Sequence, residues 1–181
     1  MKTESTVLYV LRLALTLLAI TAVVAAALAG VNSITKPEIE KLTAQKTQAA
    51  IEAVLPGGGE LVEFPATALV SKVYASETGY AVEVTPGGFD NTITMMVGVD
   101  KEGNVLGIDI ISHTETAGLG AVADAATPAG VSFREQFAGK AGSVSVTKDG
   151  GEIEAITGAT ITSRAVCAGV NAALEVVAKM G

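Results

Sequence analysis

An apolar stretch near the N-terminus is the feature that most constrains how this chain folds. It runs from Val7 to Gly30 and contains one charged residue, Arg12. From Leu13 to Val31 it has about the 20 residues that an α-helix needs to cross the hydrocarbon core of a bilayer. We therefore expect residues 1–31 to form a transmembrane helix.

A cleaved signal peptide is the alternative interpretation of this stretch. The small residues around Ala27 and Ala29 resemble a cleavage site, and Lys2 and Arg12 would form the basic end of such a signal. The apolar run is longer than the usual core of a signal peptide, which favours retention. Positive charges before the helix favour an N-terminus in the cytoplasm, with the rest of the chain on the outer side.

Charge and cysteine content exclude several classes of site. The net charge is −7, whereas a nucleic-acid partner calls for a basic surface. The single cysteine, Cys167, excludes an internal disulfide and a thiolate cluster for zinc or an iron–sulfur centre. Its apolar neighbours Val166, Val170 and Leu174 indicate a small buried residue on a helix. We predict no metal site.

The region after the apolar stretch divides into a helix and a domain. Residues 32–56 favour a juxtamembrane helix that starts near Pro37 and is stopped by Pro56 and the glycines after it. Residues 57–181 form the domain. Two pairs of apolar, β-prone segments, each pair separated by a short turn, predict two β-hairpins there. The first pair is LVSKVY and YAVEV, and the second is TITMMVGV and VLGIDII.

Further elements complete this domain. The segment FREQFAGK favours one short helical turn, SVSV a short strand, and Lys148 to Gly151 a turn. The last helix is predicted from about Thr162 to Met180, with an apolar stripe on one face. Hairpins flanked by helices at both ends describe an α+β domain and not a doubly wound parallel sheet.

Residue types that usually carry catalysis are scarce. The chain has one histidine, His113, and one cysteine, Cys167, and nothing in the sequence pairs them as a base and a nucleophile. A phosphate-binding loop and a dinucleotide-binding glycine pattern are also missing. We therefore predict no catalytic residue.

The most unusual segment is EAITGATITSRA, which places several hydroxyls just before the last helix. The simple interpretation is that Thr160 or Thr162 caps the helix by accepting hydrogen bonds from its free N–H groups. The alternative is that these N–H groups and the positive end of the helix dipole bind a phosphate, and a hydroxyl there could carry it covalently. Gly158 and Ala159 keep the approach free of bulky side chains.

This segment resembles the flavinylation motif, Asp-x-x-Ser/Thr-Gly-Ala-Ser/Thr, of the FMN-binding subunits of bacterial ion-pumping redox complexes. These are the G subunit of the Rnf complex and the C subunit of the sodium-translocating NADH:quinone reductase. The single N-terminal membrane helix is similar too, and further stretches resemble the same family in the same order. They are ITKPEI, TITMMVGVD, SHTETAGLG and FREQFAGK. In its compact length the chain is similar to the Rnf protein.

The resemblance implies that FMN is the cofactor and that Thr160 is esterified to its phosphate. It also implies a separate flavin transferase that uses FAD as donor and magnesium for the transfer, with AMP as by-product. Thr157, Gly158 and Ala159 would be read by this transferase and would then line the phosphate site. Glu154 stands where the motif usually has Asp, so its carboxylate is displaced by one methylene.

The resemblance further implies that the loop SHTETAGLG lies against the flavin ring. Ala117 stands where the family loop usually has proline. The predicted ring contacts are Glu115, Thr116, Gly118, Leu119 and Gly120. For His113 two interpretations stay open, a place beside the flavin and a hydrogen-bonded or solvent-facing position in the loop.

An electron-transfer role in an Rnf-type complex follows from the same resemblance. Such a complex links ferredoxin and NAD to the movement of sodium ions or protons, and the partners would be its other membrane and redox subunits. With only Thr16 and Thr21 as polar groups inside its membrane helix, this chain has no ion path of its own. Two alternatives stay open: a related flavoprotein that serves quinone or an extracellular acceptor, and a membrane-anchored binding module without a redox function.

Overall fold

The structure is a computed structural model that describes residues 2–65 and 67–180. The chain forms two compact units, Met1–Ala44 and Gln45–Gly181. The elements in chain order are α1 (Lys2–Val54), β1 (Glu60–Val62), β2 (Val70–Ala75), β3 (Gly79–Val84), β4 (Thr94–Asp100), β5 (Val105–Ser112), a first 3₁₀ turn (Gly120–Ala123), α2 (Pro128–Glu135), a second 3₁₀ turn (Thr147–Asp149) and α3 (Thr160–Met180).

The N-terminal unit contains the apolar part of α1. Its large apolar side chains are exposed, and no residue of its most apolar window is buried. The two threonines inside it satisfy their own hydroxyls, because Thr16 Oγ1 donates to the carbonyl of Arg12 at 2.7 Å and Thr21 Oγ1 to that of Leu17 at 2.9 Å. A helix of this length and composition suggests a membrane anchor.

Pro37 does not interrupt α1, although we expected a new helix to start near it. A proline inside a helix removes one hydrogen bond and crowds the carbonyl four residues earlier, here that of Ser33, at a cost of about 3 kcal/mol. The residues after it, EIEKLTAQK, are mostly good helix formers and carry the helix on to Val54. The structure therefore has one continuous helix at the place where a new helix was predicted to start. The domain boundaries after residues 31 and 56 stay predictions.

The five strands form one antiparallel sheet in the order β1-β2-β3-β4-β5, so each strand pairs with the next along the chain. Both predicted hairpins, β2–β3 and β4–β5, are confirmed, and so is the α+β fold class. Strand β1 was not predicted, because its three residues are too short to show an apolar pattern. It pairs with β2 from Glu60 opposite Ala75 to Val62 opposite Val73.

Both faces of the sheet are covered, because alternate residues of a strand point to opposite sides. On β4, Met95 and Val97 belong to the core that contains α3, whereas Met96 packs with the last turns of α1. Gly98 makes room for α1, since a Cβ atom there would collide with the carbonyl oxygen of Val54. The domain is thus a helix–sheet–helix sandwich.

Helix α3 is the main helix of the core. It is long and apolar enough to cross a membrane, but 67% of its most apolar 18-residue stretch is buried within the domain. Cys167 lies on its buried face, as predicted, and burial raises the pKa of the thiol to about 11. We therefore assign α3 to the domain core and Cys167 to its packing.

The segment SVSV does not form the strand that was predicted. Only Val146 makes a bridge, a parallel one with Ile153. At Val144 a side chain takes the place of a strand partner: the N–H of Val144 donates to Asn171 Oδ1 at 2.8 Å, and its carbonyl accepts from Asn171 Nδ2 at 2.9 Å. The backbone N–H and carbonyl of Val144 are therefore satisfied by α3 and not by a neighbouring strand.

Helix α2 begins earlier than the helical turn predicted in FREQFAGK. Pro128 occupies its first turn, and Thr127 caps it by accepting a hydrogen bond from the N–H of Gly130 at 3.3 Å. Arg134 joins the helix to the preceding loop by donating to the carbonyls of Ala123 and Ala125, at 2.6 and 3.2 Å. These contacts fix the end of the loop that follows β5.

Candidate functional site

A cavity of about 270 Å³ lies at the N-terminal end of α3. Its walls come from the loop between β3 and β4, the loop after β5, and the chain from the second 3₁₀ turn to α3. They are lined by Phe89, Glu115, Thr116, Leu119, Gly120, Lys148, Gly158, Ala159, Thr160, Ile161 and Thr162. A concave, mostly apolar surface with a few polar groups is the usual form of a small-molecule site.

The carboxylate of Glu115 joins the walls of this cavity. The side chain is buried, and its Oε1 accepts hydrogen bonds from the N–H groups of Phe89 at 2.8 Å and Asp90 at 3.3 Å. Its Oε2 accepts a hydrogen bond from the hydroxyl of Thr162 in the first turn of α3. One side chain thus ties the β3–β4 loop, the loop after β5 and α3 together.

Two glycines allow this close approach. A Cβ atom at Gly120 would collide with Glu115 Oε2 and with the hydroxyl of Thr162, and one at Gly88 would collide with Glu115 Oε1. The two loops and α3 can therefore pack this closely around the carboxylate only because Gly88 and Gly120 have no side chain.

The hydroxyl of Thr160 lies on the cavity wall beside a cation. Thr160 is the first residue of α3, and Lys148 Nζ donates a hydrogen bond to Thr160 Oγ1 at 3.2 Å. The preceding Gly158 has a φ of 78°, a left-handed conformation that favours glycine. The first N–H groups of any helix lack partners inside it, so this end of the cavity combines unpaired donors, a hydroxyl and an ammonium group.

Neither threonine that the sequence suggested as a cap bonds to the first turn of α3 in the part of the chain that the structure describes, and Ser163 instead holds the loop before the helix. Ser163 Oγ accepts a hydrogen bond from the N–H of Ile156 at 3.0 Å and donates one to the carbonyl of Ala159 at 2.9 Å. Thr162 is directed to Glu115 and Thr160 to Lys148. The buried hydroxyl of Ser163 therefore holds the loop, which leaves that of Thr160 on the cavity wall.

Lys148 is held in place by its neighbour. Asp149 accepts two hydrogen bonds from Arg164 of α3, from Nε at 2.7 Å and from an Nη at 2.6 Å. The hydrogen bond from Arg164 holds the pKa of the Asp149 carboxyl below its usual value. The 3₁₀ turn then ends at Gly150, whose φ is 83°. The turn that carries Lys148 is therefore clamped to the helix that carries Thr160.

The cavity brings together most of the residues predicted from the sequence. Those that line it are Glu115, Thr116, Leu119, Gly120, Gly158, Ala159 and Thr160. Gly118 and Thr157 line a neighbouring cavity of about 340 Å³ instead. The role of all these residues in cofactor binding stays a prediction.

His113 does not line either cavity. Its Nδ1 accepts a hydrogen bond from the N–H of Glu115 at 3.2 Å, and its Nε2 lies 3.6 Å from a carboxylate oxygen of Asp124. The ring therefore supports the backbone of the loop next to Glu115, which matches the interpretation of a hydrogen-bonded loop histidine.

Four lining residues were not among the predicted contacts: Phe89, Lys148, Ile161 and Thr162. Phe89 follows two glycines in the loop between β3 and β4. Thr162 and Ile161 belong to the hydroxyl-rich segment itself. For Lys148 the sequence predicted only a turn, because the contact of this lysine with Thr160 depends on how the turn folds back onto α3.

Comparison with known proteins places the chain in a family. The model of the FMN-binding domain matches residues 88–175. The chain is 34% identical over 194 residues to the G subunit of the Na⁺-translocating ferredoxin:NAD⁺ oxidoreductase complex of Acetobacterium woodii, covering 92% of this chain and 91% of that protein. The chain belongs to the G-subunit family of ion-translocating oxidoreductase complexes.

The chain is also similar to two other members of the G-subunit family. The G subunit of the ion-translocating oxidoreductase complex of Methanosarcina acetivorans is 30% identical over 176 residues, which cover 90% of this chain and 91% of that protein. The G subunit of the proton-translocating ferredoxin:NAD⁺ oxidoreductase complex of Clostridium ljungdahlii is 42% identical over 111 residues, 56% of this chain and 57% of that protein.

The cavity suits FMN, the cofactor of the matched domain. Its apolar rim is formed by side chains that are partly exposed, Phe89 at 67%, Leu119 at 44% and Ile161 at 50%, which provides surface for a flat ring. Its polar end, with Lys148 and the start of α3, suits a phosphate. Within residues 2–65 and 67–180, no group of three histidine, cysteine or acidic side chains gathers as a metal site.

Proposed function

We propose that this chain carries FMN through a phosphoester to Oγ1 of Thr160. The observation that supports it most is the position of this hydroxyl, on the wall of a cavity and beside the amine of Lys148. Gly158 and Ala159 leave space in front of it, and the first N–H groups of α3 point toward the same end. A phosphate at this position would be held by charge, by backbone donors and by a covalent bond.

The remaining walls would hold the flavin ring. Phe89, Leu119 and Ile161 offer apolar contact surface, while Glu115, with both oxygens engaged, keeps the two loops in place. Thr116 and Gly120 complete the wall formed by the loop after β5. These residues position the ring and exclude water from one side of it.

Electron transfer is the function we propose for the loaded domain. FMN supplies the capacity to accept electrons from one partner and pass them to another, and the protein tunes its potential through nearby charges and hydrogen bonds. The relatives are named as subunits of complexes that act between ferredoxin and NAD⁺, with Na⁺ translocation in one case and proton translocation in another. We propose that this chain is the corresponding electron-transfer subunit of an Rnf-type complex.

The partners and the location follow from this proposal. Other membrane and redox subunits would supply the NAD⁺ site and the ion path, and a flavin transferase using FAD would attach the cofactor during maturation. We propose that residues 1–31 anchor the chain, that residues 32–56 connect the anchor to the domain of residues 57–181, and that this domain lies on the outer side of the cell membrane.

Intact mass of the full chain, purified from membranes of cells that contain the transferase, tests the attachment. We expect the wild type and the variant Thr160→Ser to carry the mass of one FMN phosphoester and to fluoresce on a denaturing gel. Thr160→Ala should carry none. Thr78→Ala, which changes an exposed threonine in the β2–β3 turn, is the matched control and should be modified fully. A modified Thr160→Ala chain would show that the ester is elsewhere.

Labelling of whole cells tests the location. Glu102 is exposed in the turn between β4 and β5, so the variant Glu102→Cys presents a thiol on the domain surface. A maleimide that cannot cross membranes should label this variant in intact cells if the domain is outside. Labelling that appears only after cell lysis would place the domain in the cytoplasm.

A further inference from the structure

We propose that Lys148 is the phosphate-binding residue of this site, and that it orients the hydroxyl of Thr160 when the flavin is attached. The inference rests on the function proposed above and adds a residue outside the hydroxyl-rich motif. It starts from the hydrogen bond that Lys148 Nζ donates to Thr160 Oγ1 at 3.2 Å.

The charges around the cavity support this assignment. Of the eleven lining residues, Lys148 is the single cation and Glu115 the single anion. Both oxygens of Glu115 are already occupied, by two backbone N–H groups and by the hydroxyl of Thr162. Among the residues that the structure describes, no carboxylate lies within 4.0 Å of the Lys148 amine. The ammonium group therefore makes no direct ion pair with these residues, and it lies beside the atom that would bear the phosphate.

The turn that carries Lys148 is joined to α3 without any ligand. Asp149 is bound by both hydrogen bonds from Arg164, which lies one helical turn after Thr160 on α3. This pair directs the Asp149 carboxylate to Arg164, so the charges of Lys148 and Asp149 interact only at a distance and the Lys148 amine keeps its hydrogen bond to Thr160. It also links the turn to the helix. Lys148 is thus placed next to Thr160 by a contact that its own turn makes with α3.

The attachment step makes the role of Lys148 explicit. Thr160 Oγ1 attacks the phosphorus atom on the flavin side of the FAD pyrophosphate, and the bond from that phosphorus to the bridging oxygen breaks. The products are the Thr160–FMN phosphodiester, with one negative charge, and AMP, while the hydroxyl proton is released to solvent. An ammonium group beside Oγ1 stabilises the negative charge that builds up on the attacking and phosphoryl oxygens and then pairs with the phosphodiester.

The test is a time course of FMN attachment to the full chain in detergent, with purified flavin transferase, FAD and Mg²⁺, followed by intact mass. Rates are measured over a range of chain concentrations, so that kcat and KM separate. Lys148→Met should lower kcat by about tenfold or more, the usual worth of a hydrogen bond to a charged group, whereas Lys148→Arg should restore most of the rate. Lys101→Met, a lysine in the β4–β5 turn, is the matched control and should react like the wild type.

The outcomes separate this inference from the function on which it rests. Attachment to the wild type and not to Thr160→Ala, with equal kcat for Lys148→Met, would overturn the role of Lys148 alone. A change confined to KM would do the same, because it would mean that the transferase reads Lys148 from outside the site. An equal loss of kcat in Lys148→Met and Lys148→Arg would also overturn the proposed role, because it would show that the positive charge of the side chain does not contribute to the rate. Failure of the wild type to accept FMN would overturn both proposals.

Discussion

The hydroxyl of Thr162 donates a hydrogen bond to the buried carboxylate of Glu115, which lies 47 residues earlier in the chain. The same carboxylate accepts from the N–H groups of Phe89 and Asp90, so three distant segments meet at one side chain. A buried group with this many partners contributes most through what its loss would leave unsatisfied. The shape of the cavity therefore depends on the hydrogen bonds of Glu115.

Replacement of Glu115 tests this dependence. Glu115→Ala removes the acceptor for the buried hydroxyl of Thr162, and we expect it to lower the free energy of unfolding by about 1–3 kcal/mol. Thermal unfolding of the full chain in detergent measures the change. Glu77→Ala, in the exposed β2–β3 turn, should unfold like the wild type. Equal stability of the two variants would contradict the role assigned to Glu115.

Gly120 offers a test of the close packing at the same place. In Gly120→Ala the added methyl group meets Glu115 Oε2 and the hydroxyl of Thr162, so the loop or the helix has to move, at a cost of about 1–3 kcal/mol. Gly107→Ala is the matched control, because a Cβ atom at Gly107 has open space around it. We expect a lower melting temperature and less bound FMN for Gly120→Ala only. If both glycines tolerate alanine equally, the packing around the carboxylate is looser than described.

The Asp149–Arg164 pair predicts a dependence on pH. The hydrogen bond from Arg164 lowers the pKa of Asp149 below its ordinary value of 3.8. A carboxyl whose pKa is lowered on folding adds stability above its unfolded pKa, and this contribution disappears as the pH falls through the lower, folded pKa. The wild type should therefore melt at a higher temperature than Asp149→Asn near neutral pH, and the difference should shrink in acid. A difference that grows on acidification would contradict the pairing.

Cys167 should be unreactive in the folded chain. Burial raises the pKa of its thiol to about 11, so at neutral pH the thiol is protonated as well as shielded. We expect a maleimide to leave the native chain unlabelled and to react once the chain is unfolded in denaturant. Ser132→Cys, at an exposed position on α2, provides the control and should be labelled without denaturant. Rapid labelling of the native wild type would place Cys167 at the surface.

The sequence predicted the parts of the fold that depend on neighbouring residues. The hairpins β2–β3 and β4–β5 are visible because each strand pairs with the next one along the chain across a short turn. The buried position of Cys167 follows from the apolar spacing on α3. Strand β1 and the uninterrupted α1 were missed, since the first is only three residues long and the second keeps a proline that usually ends a helix.

The sequence allowed the motif residues of the site to be predicted, but not the residues that hold them in place. The hydroxyl-rich segment and the loop after β5 are continuous in sequence, so a resemblance could identify them. Lys148 and Ser163 become recognisable only when the second 3₁₀ turn and the loop before α3 are folded, because their partners are set by tertiary contacts. For the same reason the sequence suggested Thr160 or Thr162 as the helix cap, whereas Thr160 accepts from Lys148 and Thr162 donates to Glu115.

The order of these segments along the chain has a consequence for biosynthesis. Each strand pairs with the next one along the chain, but one wall of the pocket is missing until α3 has been made and has packed against the sheet. Flavin attachment to the finished pocket would then be among the last events in the maturation of the polypeptide. Yellow colour that stays with the polypeptide would then show that α3 had been made and that the pocket had formed.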